Sequence, residues 1–218
     1  MPTLIRITAL SILLAHGVVY AAETQFDLEP LRAALKKQAK YSSVIVKVRQ
    51  TKQIPALDQP VKSTGKLWLK PGKAFRWQIG NPTASTAIYD GEKVHLLDEV
   101  RKSGVTYPLN HRKVKPILLM LGIGEGASVE KMSTVFRVTG VTEHNEHYIV
   151  AFAPKSGKLK RVLKQLILQI NTKSSFMERV EWTQKDGSVI TTEFYPPQIN
   201  VKLPDRIFAI EKNKYQWK

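Results

Sequence analysis

The sequence predicts an α+β fold: one long antiparallel sheet with a few short helices segregated from it. Three observations carry this. Apolar residues alternate at strand spacing through most of the chain, in about eleven short runs. Turn signals separate neighbouring runs: Pro71-Gly72, Asp90-Gly91 and Asp186-Gly187. Helical spacing is confined to Leu28–Lys40, Pro116–Ile123 and a turn near Val129–Met132.

The first residues form a separate object. Arg6 supplies a basic n-region, and Ile7 to Val19 is an apolar run too short to span a bilayer. Val19-Tyr20-Ala21 puts small residues where a signal peptidase needs them. Cleavage is expected after Ala21, with Ala22 the near alternative. Residues 1–21 are read as a signal peptide and residues 22–218 as one exported, soluble domain. With no cysteine, the chain has no disulfide, thiol or lipid-attachment chemistry.

Asp27 offers an N-cap, and Leu28, Leu31, Leu35 and Ala39 follow at helical spacing, with lysines towards the C-terminal end. Val44–Gln53 alternates as a strand, with Val44, Val46 and Val48 on one face. Residues 54–63 hold two prolines and read as a loop. The stretch from Thr64 to Glu99 reads as four strands in succession. Leu67 and Leu69 oppose Lys66, Trp68 and Lys70, and Phe75, Trp77 and Ile79 oppose Ala74, Arg76 and Gln78. Val100–Leu109 reads as a strand with a turn at Lys102-Ser103-Gly104.

Pro116 opens a nearly all-apolar helix, and Gly122, Gly124 and Gly126 make a pliable loop after it. Thr134–Thr142 and His147–Ala153 form a hairpin. Leu159–Lys164 suits a helix, but the alternation of Leu166, Leu168 and Ile170 favours a strand. Phe176–Gln184 and Val189–Tyr195 flank Asp186-Gly187, and Ile199–Ile210 closes the chain.

Lys and Arg number 34 against 18 Asp and Glu, a net charge of +16. Such a surface is drawn to anionic membranes, acidic polymers or an acidic partner. An exported chain does not meet nucleic acid, so no nucleic-acid partner is expected. A solvated basic surface without a specific partner is the plainer reading.

The string Gly65-Lys66-Leu67-Trp68-Leu69-Lys70-Pro71-Gly72, then Phe75-Arg76-Trp77, Asn81-Pro82 and Tyr89-Asp90-Gly91, resembles the LolA family of periplasmic lipoprotein carriers. The resemblance covers most of the mature chain. The receptor LolB and RseB-like regulatory proteins share parts of it. It implies an incomplete, open antiparallel β-barrel with a helical lid over a hydrophobic cavity. Acylated lipoproteins, or another lipid, would be the cargo. A releasing inner-membrane ABC-type transporter and an outer-membrane receptor would be the partners, and the carrier a monomer. Cavity candidates on this reading are Phe75, Trp77, Ile88, Leu118, Leu121, Phe152 and Trp182. Lid candidates are Leu31, Leu35 and Ile117, opening on the glycines after Leu121. An ordinary core explains the same aromatics equally well from the residues alone. In the family an Arg near the strand-turn proline helps hold the lid. Lys70 stands there in this sequence and lacks the planar fork of Arg.

No catalytic constellation is visible, so no enzyme and no cofactor are expected. Gly-x-Ser-x-Gly, phosphate-loop and dinucleotide patterns are absent. His144 and His147 with Glu143 and Glu146 sit in a hairpin loop without zinc-protease spacing, and no metal site is assigned. His95 reads as a hydrogen-bonded structural histidine. The leading reading is a periplasmic carrier that shields acyl chains between inner and outer membrane. The alternatives are a regulatory or sensing module of the same fold class, acting through protein partners, and an exported hydrolase on an unrecognised β-fold.

Overall fold

The computed structural model describes residues 26–111, 113–121 and 128–218. The expected signal peptide, the glycine hinge at 122–126 and the side chain of Ile117 lie outside the described residues.

Helix α1 (Glu29–Ala39) leads into an antiparallel meander of β1 (Val44–Gln53), β2 (Val61–Lys70), β3 (Ala74–Ile79), β4 (Ser85–Tyr89), β5 (Val94–Asp98) and β6 (Ser103–Tyr107). Helices α2 (Lys115–Met120) and α3 (Val129–Val135) follow. The second meander holds β7 (Phe136–His144), β8 (His147–Pro154), the short α4 (Gly157–Lys160), β9 (Leu163–Asn171), β10 (Phe176–Gln184) and β11 (Val189–Phe194). The tail adds β12 (Gln198–Ile199), two 3-10 turns and β13 (Gln216–Trp217).

Strand β1 joins the meanders, because β2 pairs with one edge and β11 with the other. The result is one 13-stranded sheet in the order β13-β6-β5-β4-β3-β2-β1-β11-β10-β9-β8-β7, with β12 also on β1. Its two ends, β13 and β7, do not pair with each other, so the barrel is open. The segment linking β6 to β7 carries α2 and α3 and, among its described residues, no strand.

Alternation in the sequence becomes continuous apolar rows in the sheet. One inner row runs Val44, Leu69, Phe75, Tyr89, Val94 and Tyr107 across six strands. The next runs Val46, Leu67, Trp77, Ala87, Leu96 and Val105. The second meander supplies Phe152, Leu166, Trp182 and Ile190, and beside them Val150, Leu168, Val180 and Thr192. The helices bury Leu31, Ala34, Leu35, Leu118, Val129 and Met132 against these rows in a single cluster.

Several local expectations shift. The β5–β6 turn comes before Ser103, because the Asp98 carboxylate accepts the backbone N–H groups of Val100 and Arg101 and Lys102 takes a φ of 51°. Ser103 and Gly104 are then strand residues. Asp27 accepts from the N–H of Glu29, so Leu28 rather than Asp27 occupies the N-cap. Ala39 is exposed at the end of α1, and Ala34 takes its place on the buried face. Ser128 caps α3, which runs through Val135 and delays β7 to Phe136. Residues 157–160 are helical, and β9 begins at Leu163. The tail strands β12 and β13 were not expected; each is two residues long and exists only by docking on β1 or β6.

Gly65 admits no side chain, since a Cβ there would lie 2.1 Å from the Gln78 carbonyl oxygen. Gly65→Ala is expected to destabilise the fold by about 1–3 kcal/mol, measured as a lower urea midpoint at unchanged slope.

Candidate functional site

The inner face of the sheet is covered by helices and not by a second sheet. Under the C-terminal end of α1 lies a cavity of about 40 Å³. Its walls are Val44 and Val46 of β1, Leu67 and Leu69 of β2, Phe176 and Met177 of β10, and Phe194 of β11, roofed by Gln38, Tyr41 and Leu121. Apart from Gln38 and the Tyr41 hydroxyl the lining side chains are apolar. A cavity this size has room for a few water-sized spheres at most, far less than an acyl chain needs.

The residues expected at the site fall into three groups. Phe75, Trp77, Leu118, Leu121 and Phe152 are buried in the same cluster as the lid residues Leu31 and Leu35, and Trp182 packs against it half-buried. Of these, only Leu121 borders the cavity; the aromatics lie in the surrounding core. Ile88 is a correction. Its register partners are Arg76 and His95, so it faces outward, where it borders a groove with Ile210 and Tyr215. Its neighbours Ala87 and Tyr89 hold the inner positions. The cavity residues not singled out from sequence, Val44, Val46, Leu67 and Leu69, were already legible as one inward face. Phe176, Met177 and Phe194 join them only through the β1–β11 pairing.

Trp77 has a further property. Its indole Nε1–H is buried with no hydrogen-bond acceptor among the described residues. An unsatisfied buried donor costs about 1–3 kcal/mol. The ring stands beside two cavity walls, Leu67 across the strand pair and Phe194 at a centroid distance of 6.2 Å.

Three polar contacts hold α1 down. The Tyr148 hydroxyl donates to the Asp27 carbonyl, and Lys37 Nζ donates to the Ser174 carbonyl at 2.8 Å. Arg32 pairs with Glu130 on α3 and with Glu29 at 3.2 Å. Burial, with Asp27 and Glu143 nearby, pushes the Tyr148 phenol up to about 12, so it remains a donor. The Arg32 guanidinium hydrogen-bonds Glu130 and holds its carboxyl down at about 2.

A scan of protein families matches residues 39–211 to the family described as outer membrane lipoprotein carrier protein LolA. The chain belongs to the LolA family. No curated protein sequence matches it. Among solved structures, an uncharacterized conserved protein from Thermus thermophilus is similar at a TM-score of 0.51 and 11% identity, covering 87% of this chain and 98% of that one. A LolA superfamily protein from Nitrosomonas europaea matches at 0.44 and 10% identity, over 82% and 97%. The lipoprotein LppX of Mycobacterium tuberculosis matches at 0.41 and 13% identity, over 81% and 96%. The likeness to the Thermus protein is one of fold. The LolA fold is a carrier and binding fold, and no helix among the described residues is long and apolar enough to cross a membrane.

The lid-holding Arg implied by the LolA resemblance has no counterpart in Lys70. Lys70 points outward, pairs with Asp205 at 2.6 Å and lies over the Phe208 ring. Both partners belong to the C-terminal tail, which Lys70 fastens. His95 is on the same outer face, held by Thr106 at 3.0 Å and Asp90 at 2.9 Å with Trp217 edge-on. His147 lies 3.1 Å from Glu178, and Glu146 pairs with Lys173.

Glu130 has its folded pKa depressed from 4.5 to about 2, so its pairing is complete above pH 4.5 and is lost as pH falls through about 2. The protection factors of α1 amides, exchange measured against the intrinsic rate at each pH, should therefore fall across that window. Glu130→Gln should raise α1 exchange already at neutral pH and flatten the acid dependence. Identical exchange in both proteins at neutral pH would show that the ion pair does not restrain α1.

Proposed function

We propose that this LolA-family protein is a periplasmic carrier that shields acyl chains of lipoproteins, or of another lipid, during transfer from inner to outer membrane. It acts without catalysis, by reversible burial. Residues 1–21 would be removed on export, and residues 22–218 would act as one soluble, monomeric domain. A releasing transporter in the inner membrane and a receptor in the outer membrane would be its partners.

The observation that carries this is the apolar cavity between an unclosed sheet and a helical cover. An acyl chain costs about 0.8 kcal/mol per methylene in water, so a long chain costs on the order of 10 kcal/mol. The inner face of the sheet repays that when the helices lift from it. The cavity of about 40 Å³ is a seed, and cargo must displace α1 and α2 to enlarge it. Trp77 adds chemistry to the apolar surface, because an ester oxygen of an incoming chain would satisfy its orphan N–H. Cavity and lid residues on this reading are Val46, Leu67, Phe176, Phe194 and Leu121, with Phe75, Trp77, Leu118, Phe152 and Trp182 exposed to cargo as the helices move, and Leu31, Leu35 and Ile117 as the lid.

Native mass spectrometry of residues 22–218 purified gently from a periplasm should reveal a bound lipid or acylated peptide. Phe176→Asp should weaken binding of a fluorescent fatty acid at least about tenfold, by removing apolar wall and placing a charge against the chain. Val100→Asp, on an exposed turn, should leave it unchanged. A protein that is isolated without lipid and takes up no fatty acid would sink the carrier reading.

A further inference from the structure

The sheet has two rims. The cavity lies towards the rim formed by the Pro71-Gly72 and Asp90–Lys93 turns and the end of α1. The opposite rim carries the β1–β2 loop (54–60), the β8–β9 connection (155–162) and the β10–β11 turn (185–188). These three are contiguous. Lys185 N–H donates to the Val162 carbonyl at 3.1 Å, and a Cβ on Gly187 would lie 3.2 Å from the Pro55 ring.

Two features meet on this second rim. Lys155, Lys158, Lys160, Arg161 and Lys164 fall within ten residues that hold no carboxylate, and Lys185 lies beside them. All six are exposed. None makes an ion pair within 4 Å among the described residues. Elsewhere on the surface cations do meet carboxylates, as Lys70 with Asp205, Lys173 with Glu146 and Lys102 with Glu99 do. Projecting among the free cations are aliphatic tips, Leu57 at 49% exposed, Val61 at 47% and Val162 at 44%. Isolated exposed aliphatics are ordinary. Three on one rim, on loops that carry this cation cluster against two carboxylates, Asp58 and Asp186, are not explained by packing.

We infer that this rim, centred on Leu57, Val162 and the cations of residues 155–164 and Lys185, docks the protein on an anionic lipid surface. Long basic side chains reach phosphate headgroups while short aliphatic tips enter the interfacial layer. Long, exposed side chains without ion pairs among the described residues suit mobile phosphate headgroups better than the fixed carboxylates of an acidic protein. Its position fixes an orientation: docked there, the cavity faces away from the bilayer, towards a partner protein. Docking is thus independent of cargo and stands apart from the carrier reading.

The test is co-sedimentation of residues 22–218 with phosphatidylcholine vesicles, with and without roughly a quarter of phosphatidylglycerol. Wild type should sediment with the anionic vesicles only, and less at ~0.5 M than at ~0.1 M salt. The combined variant Lys158→Glu, Lys160→Glu and Arg161→Glu should lose on the order of a hundredfold in partitioning, at about one order per one to two basic residues. Leu57→Asp with Val162→Asp should lose binding that survives at high salt. Lys36→Glu with Lys40→Glu, on exposed α1 positions at the cavity rim, should bind like wild type. All substituted residues are exposed, so thermal melts should match and folding is not in question. Wild type that ignores anionic vesicles, a charge-reversed rim that still binds, or equal loss from the α1 control would each overturn the proposal. So would an intact rim that captures an acidic polypeptide and no vesicles.

Discussion

A curled antiparallel sheet that does not close leaves an apolar concave face, and everything else in this molecule follows from the need to cover it. Closure would require β7 to pair with the edge formed by β6 and β13. The residues between them are used for α2 and α3, and α1 joins from the N-terminal side. Strands hold each other through ladders of backbone hydrogen bonds that no side-chain change removes. Helices on a sheet are held by side-chain packing and a few polar contacts. The cover is therefore the part of the fold that can move without breaking the rest.

The two faces of the sheet are secured differently. On the outer face the C-terminal tail is tied at many points. Arg76 reaches the carbonyls of Ile207 and Ala209, Tyr215 bonds Glu99, Lys70 holds Asp205, and Trp217 fills the space above Gly104. On the inner face α1 has Tyr148, Arg32 and Lys37 as its polar fastenings. The Arg32–Glu130 pair is solvent-exposed, where such pairs contribute little. A many-pointed outer strap with a lightly fastened inner cover is what the proposed carrier would need, opening on one side while keeping its sheet.

Charge is distributed with the same asymmetry. The net positive charge sums over the chain, but pairing leaves one cluster, residues 155–164 with Lys185, without an ion pair among the described residues, while cations such as Lys70 and Lys173 meet carboxylates. Screening within about 10 Å keeps these regions electrostatically separate in solution. Composition alone would have assigned the excess to the whole surface, and the placement of the β8–β9 connection concentrates it.

How much of this was legible before folding depends on distance along the chain. Alternation through Val44–Val48, Leu67–Leu69 and Phe75–Ile79, the turn residues at Gly72 and Gly91, and the spacing of Leu31 and Leu35 are local signals, and they determined the strands, their inward faces and the helical cover. With the family motif they determined the fold class. Only tertiary structure decided the rest. Ile88 faces outward because its register against Arg76 is set by a neighbouring strand, and a shift of one residue reverses every side chain. Tail strands of two residues form only on an edge that another part of the chain provides. The cavity is bounded by β1, β2, β10, β11 and α1, and its position depends on β1 pairing with β11 far along the chain. A sequence records which side chains are apolar; which of them touch is settled by long-range pairing, and no local spacing encodes that.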